Sequence, residues 1–368
     1  MQFIDLKTQY HAYQAEIDAA MREVVETVRF VNGPQITELE EKLADFVGVQ
    51  HGIGVSSGTD ALLALLMAWE IGPGDEVITT PFTFIATAEV IAMVGAKPVF
   101  VDIEEDTLNI DPKLIEAAIT PNTKLIMPVS LYGQCADFDA INAIGEKHGI
   151  RVLEDACQSL GASYKGKRSC ALTEASAVSF FPAKPLGCFG DGGMIFTDND
   201  ALAKKVRQVK DHGQSARYQH GFIGINGRLD TIQAAVLLAK LPHFQDEIDA
   251  RQRIAHRYIE LLDGHVRTPT IREGNISVFA QFTLRVANRP QVQEALQDKG
   301  IPSAVHYPIP LPDQPVFEAI RKKHGETAPV LPMATKASQE VISLPMHPFL
   351  SESDQDRVVE AVIEAAKG

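Results

Sequence analysis

Residues 51–80 read HGIGVSSGTDALLALLMAWEIGPGDEVITT, and this stretch sets the pattern for the first two thirds of the chain. HGIGV (51–55) is a short β-rich run that enters the turn SSG. Thr59 to Glu70 then reads as a helix closed by GPGDE, and EVITT (76–80) opens the next strand. The alternation continues with the apolar, β-branched runs KPVFVDI (97–103), KLIMPV (124–129) and RVLEDA (151–156). Between them lie the helix-like TAEVIAMVG, DPKLIEAAI and DFDAINAIGEKHG. Asp111 before Pro112 supplies a cap and a proline at the first helical position. This βαβα rhythm predicts an α/β fold with a large, mainly parallel sheet and helices on both faces. ASAVSFF (175–181) and GGMIFTD (192–198) are two further β-like runs flanking a glycine-rich loop.

After about residue 230 the texture changes. A helix-like segment runs from Thr231 past Leu262, with Pro242 predicting a break. Beyond it come FAQFTLRV (279–286), a helix PQVQEALQDKG, the proline-rich IPSAVHYPIPLPDQP, and a last helix over roughly Ser353 to Lys367. The chain of 368 residues thus divides into a large domain, 1–245, and a smaller C-terminal α+β domain, 246–368. The first ~12 residues are expected to pack on the smaller domain.

Composition narrows the function. Hydrophobic residues make up 45% and charged residues 22%, as in an ordinary globular protein. Lys plus Arg total 34 against 48 Asp plus Glu, a formal charge of −14, which opposes a nucleic-acid-binding surface. The N-terminus has no basic leader before an apolar core, and no apolar run approaches membrane-helix length. Cys135, Cys157, Cys170 and Cys188 form no CxxC pair and read as reduced thiols, so a cytoplasmic location is expected.

Three places carry candidate chemistry. In GVSSGTDALLALL (54–66), a strand turns through small residues into a helix whose free N–H groups suit a phosphate. Gly58 allows close approach, and Ser57 and Thr59 add hydroxyls; a plain capped strand–helix connection has the same letters. In VLEDACQS (152–159), Asp155 stands at a strand's carboxyl end, where open sheets place ligands, with Gln158 close by. A carboxylate there can hold a protonated ring nitrogen, or simply cap a helix. No His or second carboxylate follows at ligand spacing, so no metal site is expected.

The third place, SFFPAKPLGCFGDGG (179–193), sets Lys184 between Pro182 and Pro185 in a glycine-rich loop whose one other charged residue is Asp191. A surface lysine is the ordinary reading, but a desolvated one becomes a usable amine nucleophile for a carbonyl. Ser179 lies five residues earlier, at a strand end, in position for a phosphate. A phosphate cradle, a carboxylate for a ring nitrogen and an amine able to form a Schiff base are together what pyridoxal 5'-phosphate requires. Two readings compete. Gly54-Val55-Ser56-Ser57-Gly58 also matches the GxSxG nucleophile elbow of serine hydrolases, with Asp155 and His306 following in order. A non-catalytic cofactor-binding regulator is the other.

Beyond these readings, the sequence resembles the sugar-nucleotide aminotransferases of the DegT/DnrJ/EryC1/StrS family, which have the type I aminotransferase fold. The resemblance runs from FIDLKTQY (3–10) through FVNGPQITELEEKLADFVGV (30–49) to VHYPIP (305–310). It rests on SSGTDAL, TPFTFIATA, LYGQCADFDAI, EDACQS, SFFPAKPLGCFGDGG and GINGRLD. It implies that Lys184 carries pyridoxal 5'-phosphate, that Asp155 pairs with its ring nitrogen, and that Gln158 meets its phenolic side. Phe84 would stack on the ring, while Gly58, Thr59 and Ser179 would hold the phosphate. Asn226 would reach the phosphate from a neighbouring subunit, which implies a homodimer with shared active sites. Arg228, His306 and Tyr307 would face the substrate, and Arg29 is a second candidate anchor for a substrate carboxylate. Ser130 stands where many members have His, and Pro185 where many have Asn. The SLYG and AKPLG pair resembles the branch that aminates UDP-2-acetamido-2-deoxy-3-oxo-glucuronate, with L-glutamate as donor, for surface polysaccharides.

Overall fold

The computed structural model of the protein describes residues 1–366. Seven strands form the central sheet: His51–Val55 (β1), Glu76–Thr79 (β2), Lys97–Phe100 (β3), Thr123–Met127 (β4), Arg151–Asp155 (β5), Ala175–Ser179 (β6) and Gly193–Thr197 (β7). Their spatial order is β1-β7-β6-β5-β4-β2-β3. β7 runs antiparallel to both of its neighbours, and the remaining pairs are parallel.

Helices cover both faces, and the alternation of strand side chains shows it. Ile78 and Ile126 enter one core with Leu39, Leu43, Phe138 and Phe180. Val77, Leu125 and Met127, one residue out of phase, enter the other with Leu62, Leu65 and Val206. A strand sends successive side chains to opposite faces, so strands buried on both sides read as continuous apolar runs. Helix Gly58–Ala68 follows β1 directly and starts where the Ser57 side chain accepts from the Asp60 amide. Asp111 caps Pro112–Ile115 in the same way through the Lys113 amide.

Helix Thr231–Lys240 passes through a 3₁₀ turn at Leu241–His243, where Pro242 sits, into helix Phe244–Leu262. That long helix connects two cores. Phe244 and Ile248 pack under the central sheet. Ile254, Ala255, Tyr258 and Leu262 join a separate core with Phe282, Leu284, Ile342 and Leu344. These last four sit on the antiparallel pair Phe282–Arg285 (β8) and Val341–Leu344 (β9). Met1 packs on the same core, the Met346 amide donates to the Phe3 carbonyl, and Gln9 Nε2 donates to the Glu247 carboxylate.

The strand expected over 279–286 is shorter, because Phe279 takes a left-handed φ of 44° before the extended stretch begins. The last helix covers Glu352–Ala366, and Lys367 lies outside the described residues. One consequence of this topology matters for function. The carboxyl ends of β1, β5 and β6 and the first residue of β7 meet at one edge of the sheet, with Gly193 paired to both Val55 and Ser179.

Candidate active site

Glycines bring the helix start against this edge. A β-carbon on Gly58 would stand 2.7 Å from Ser179 Cβ and 2.8 Å from Cys157 Sγ. One on Gly193 would stand 2.5 Å from the Ser57 carbonyl. The Asp60 amide is taken by the Ser57 cap, which leaves the Gly58 and Thr59 amides without an intrahelical acceptor at the helix start beside Ser179. A helix start with free amides beside a hydroxyl suits a phosphate group. Gly58→Ala is expected to push Ser179 away and to lower affinity for pyridoxal phosphate about tenfold, measured by equilibrium dialysis. Adding Cys157→Ala removes one of the two clashes and restores part of the affinity.

Asp155 closes β5 and is only 3% exposed. Its Oδ2 accepts from Thr87 Oγ1 at 2.8 Å and its Oδ1 from the Cys157 amide at 3.2 Å. Among the described residues no cation lies in ion-pair range of this buried carboxylate. Lys184 is half-buried, and its ammonium makes no hydrogen bond or ion pair among the described residues. Burial pulls this amine below the ordinary lysine range, opposed by the nearby Cys157 and Asp155. A lysine shifted this way holds more unprotonated, nucleophilic amine at neutral pH.

The other side of the pocket comes from the loops after β4 and before β9. Gln158 accepts from the Tyr132 amide at 2.8 Å and donates to the Tyr307 hydroxyl at 3.3 Å. Tyr132, at a left-handed φ of 56°, donates through its hydroxyl to the His306 carbonyl. His306 Nδ1 lies 2.9 Å from Ser343 Oγ. Burial, then the Lys184 charge, lowers the His306 pKa, which favours the neutral imidazole. Burial, then Asp155, pushes the Tyr307 phenol up, so it stays protonated. Phe84 is 56% exposed, with its ring centroid 6.4 Å from that of Tyr307.

The remaining candidates lie on two other segments. Asn226 is exposed on the segment whose backbone bridges Asp211. Arg228 bridges Val55 through its backbone, but its guanidinium is committed to an ion pair with Asp211. That pair is the structural alternative to a substrate anchor. Arg29 is exposed on the loop after helix Gln14–Thr27, and no hydrogen bond or ion pair among the described residues joins it to the site. The hydrolase reading fails on geometry. Ser56 Oγ donates to the carboxylate of Asp60, and His306 is engaged with Ser343, so no imidazole activates that serine.

Thr83, Thr87 and Tyr132 lie inside the motifs TPFTFIATA and LYGQCADFDAI, but no local sequence signal marks their contacts. Ser130 Oγ donates to Glu154 at 2.6 Å, a fully buried carboxyl also held by Ser169 and the Cys170 amide. Among the described residues no cluster of His, Cys, Asp and Glu could hold a metal. No helix there is long and apolar enough to cross a membrane.

A buried carboxylate without a cation, a desolvated amine without a partner, and an amide cradle beside a serine fit the ring nitrogen, aldehyde and phosphate of pyridoxal phosphate. Fold and donor set therefore define a pyridoxal-phosphate-dependent aminotransferase with the type I fold. Residues 11–363 match the model of the DegT/DnrJ/EryC1/StrS aminotransferase family, and the chain belongs to that family. It is 55% identical over 351 residues to the UDP-2-acetamido-2-deoxy-3-oxo-D-glucuronate aminotransferase of Pseudomonas aeruginosa, covering 95% of this chain and 96% of that one. A DegT DnrJ EryC1 StrS aminotransferase structure from Brucella abortus superimposes with a TM-score of 0.96 at 43% identity, covering 100% of both chains. NtdA from Bacillus subtilis, solved with bound cofactor PMP, superimposes with a TM-score of 0.88 at 32% identity, covering 97% of this chain and 82% of that one.

Proposed function

We propose that the enzyme moves the amino group of L-glutamate to UDP-2-acetamido-2-deoxy-3-oxo-D-glucuronate, giving 2-oxoglutarate and the 3-amino sugar nucleotide. The observation that carries the substrate is the 55% identity, over nearly the whole of both chains, to the Pseudomonas enzyme with that name. The site's geometry supports the reaction type.

Bound pyridoxal phosphate supplies an electron sink for the carbon that loses its proton. The chain supplies the rest. Lys184 Nζ would hold the cofactor covalently and, as a free amine, would take the proton from the donor's α-carbon. Its lowered pKa suits an amine that must act as a base. Asp155 holds the ring nitrogen in its protonated form through a charge-assisted hydrogen bond. Gly58, Thr59, Ser57 and Ser179 bind the phosphate. Gln158, fixed by the Tyr132 amide, faces the cofactor's phenolic side, and Phe84 covers the ring. Tyr307 and His306 border the sugar, and Arg228 lies beside its ion-pair partner Asp211 at the rim.

The active unit is a homodimer in which Asn226 reaches the neighbouring subunit's phosphate. Supporting this, the segment carrying it exposes Tyr218 and Ile223 to 78% and 85%, and Val28, Phe30 and Val31 are exposed as well. Several large apolar side chains exposed on these two segments suit an interaction surface. The four thiols are unpaired, as suits a cytoplasmic enzyme supplying surface polysaccharide synthesis.

The test is a turnover assay with glutamate and a panel of keto-sugar nucleotides, following 2-oxoglutarate and the mass of the amino sugar. The highest kcat/KM is expected for the 3-oxo-glucuronate. A higher value for a 4-keto or a dTDP-linked sugar would overturn the substrate and leave the aminotransferase standing.

A further inference from the structure

The Asp155 carboxylate is buried, and among the described residues no cation lies in ion-pair range of it, so its orientation rests on the hydrogen-bond donors around it. Its carboxylate accepts from the Cys157 amide and the Thr87 hydroxyl, and it lies close enough to the buried Cys157 thiol to push that thiol's pKa up. The amide belongs to the adjoining turn and is shared by any residue at 157. Thr87 comes from a different element, helix Ala86–Met93, 68 residues away in sequence. It is 1% exposed, so no water competes for its proton. Behind it, Thr83 Oγ1 lies 3.3 Å from Thr87 Oγ1 and is also buried.

We propose that Thr87 is a positioning residue for the reaction, holding the Asp155 carboxylate ionised and fixed in orientation, with Thr83 polarising it from behind. The inference rests on the reading of Asp155 as partner of the ring nitrogen. A hydroxyl has one proton. If Thr87 gives it to Asp155, the Thr83–Thr87 contact is donated by Thr83, and the chain Thr83 to Thr87 to Asp155 has a single direction. Each donation strengthens the next in a low-dielectric interior. The direction also discriminates between protonation states, because a donated hydrogen bond favours the charged form of a carboxylate. A carboxylate kept charged is what a protonated pyridine ring needs opposite it.

The test uses the full-length enzyme loaded with pyridoxal phosphate labelled with nitrogen-15 in its ring. The nitrogen resonance reports protonation directly, which a merely structural role for Thr87 would leave in place. Thr87→Val is expected to move that resonance toward its unprotonated position and to weaken cofactor binding to the apo-protein about tenfold. Thr87→Ser, which keeps the donor, restores both. Thr83→Val moves the resonance the same way by less. Circular dichroism of each apo-protein checks the fold. A Thr87→Val enzyme with unchanged resonance and unchanged affinity overturns the inference. Asp155→Asn separates the two layers of the argument. If it shifts the resonance while Thr87→Val does not, only the role of Thr87 fails. If Asp155→Asn leaves the resonance in place, the assignment of Asp155 fails as well.

Discussion

Lys184→Ala is expected to lower turnover by at least ~10⁴-fold, to the limit of a steady-state transamination assay. The size of the effect follows from the number of roles that one amine performs. Lys184 is the lysine that feels both Asp155 and Cys157 and bears on His306, so no neighbouring amine takes its place. Cofactor binding should survive in weakened, non-covalent form. The groups expected to grip its phosphate, ring nitrogen and phenolic side are Gly58, Ser179, Asp155 and Gln158, and the alanine touches none of them. Gel filtration of the loaded variant, followed by cofactor assay of the protein peak, measures that residual affinity. Retention of full activity would remove Lys184 from the mechanism.

Asp155→Ala is the second large effect. The carboxylate is buried, and its removal leaves the Thr87 hydroxyl and the Cys157 amide facing a vacated acceptor position. Truncating one member of a buried charge pair typically costs several kcal/mol, so cofactor affinity should fall by about two to three orders of magnitude. Asp155→Asn separates charge from shape. It keeps the volume and an acceptor but has no negative charge, and it should lose nearly as much activity as the alanine variant. An asparagine enzyme within about twofold of wild type would show that the charge is not what the site uses.

The sheet was legible because each strand is a short, compact apolar run bounded by polar or glycine-rich turns. RVLEDA and ASAVSFF contain β5 and β6 within a residue or two, so Asp155 and Ser179 could be placed at strand ends beforehand. Local signals likewise located the Asp111 cap and the Pro242 interruption. It had no purchase on the three-stranded patch built from Ser163–Tyr164, Lys167–Arg168 and Asn275–Ile276, because two-residue strands carry no periodicity. Nor does alternation predict the left-handed Phe279 that shortens β8.

In the site, residues that act through local context were readable, and residues that act through tertiary pairing were not. Lys184 stands out as a lone charge between two prolines, whereas the Thr87–Asp155 hydrogen bond spans elements that only the fold brings together. The pairing of Arg228 with Asp211, 17 residues away, is likewise made only by the fold. Ser56 fits a five-residue pattern for a nucleophile, yet its proton goes to Asp60 one helical turn on.

The central claim is that Lys184 carries pyridoxal phosphate. Its most direct test is borohydride reduction of the cofactor-loaded enzyme, with absorption spectra before and after, followed by peptide mass mapping. The account predicts a yellow band lost on reduction and a cofactor-sized mass increase on the peptide containing Lys184. A band that resists reduction, or a label on any other lysine, would contradict it.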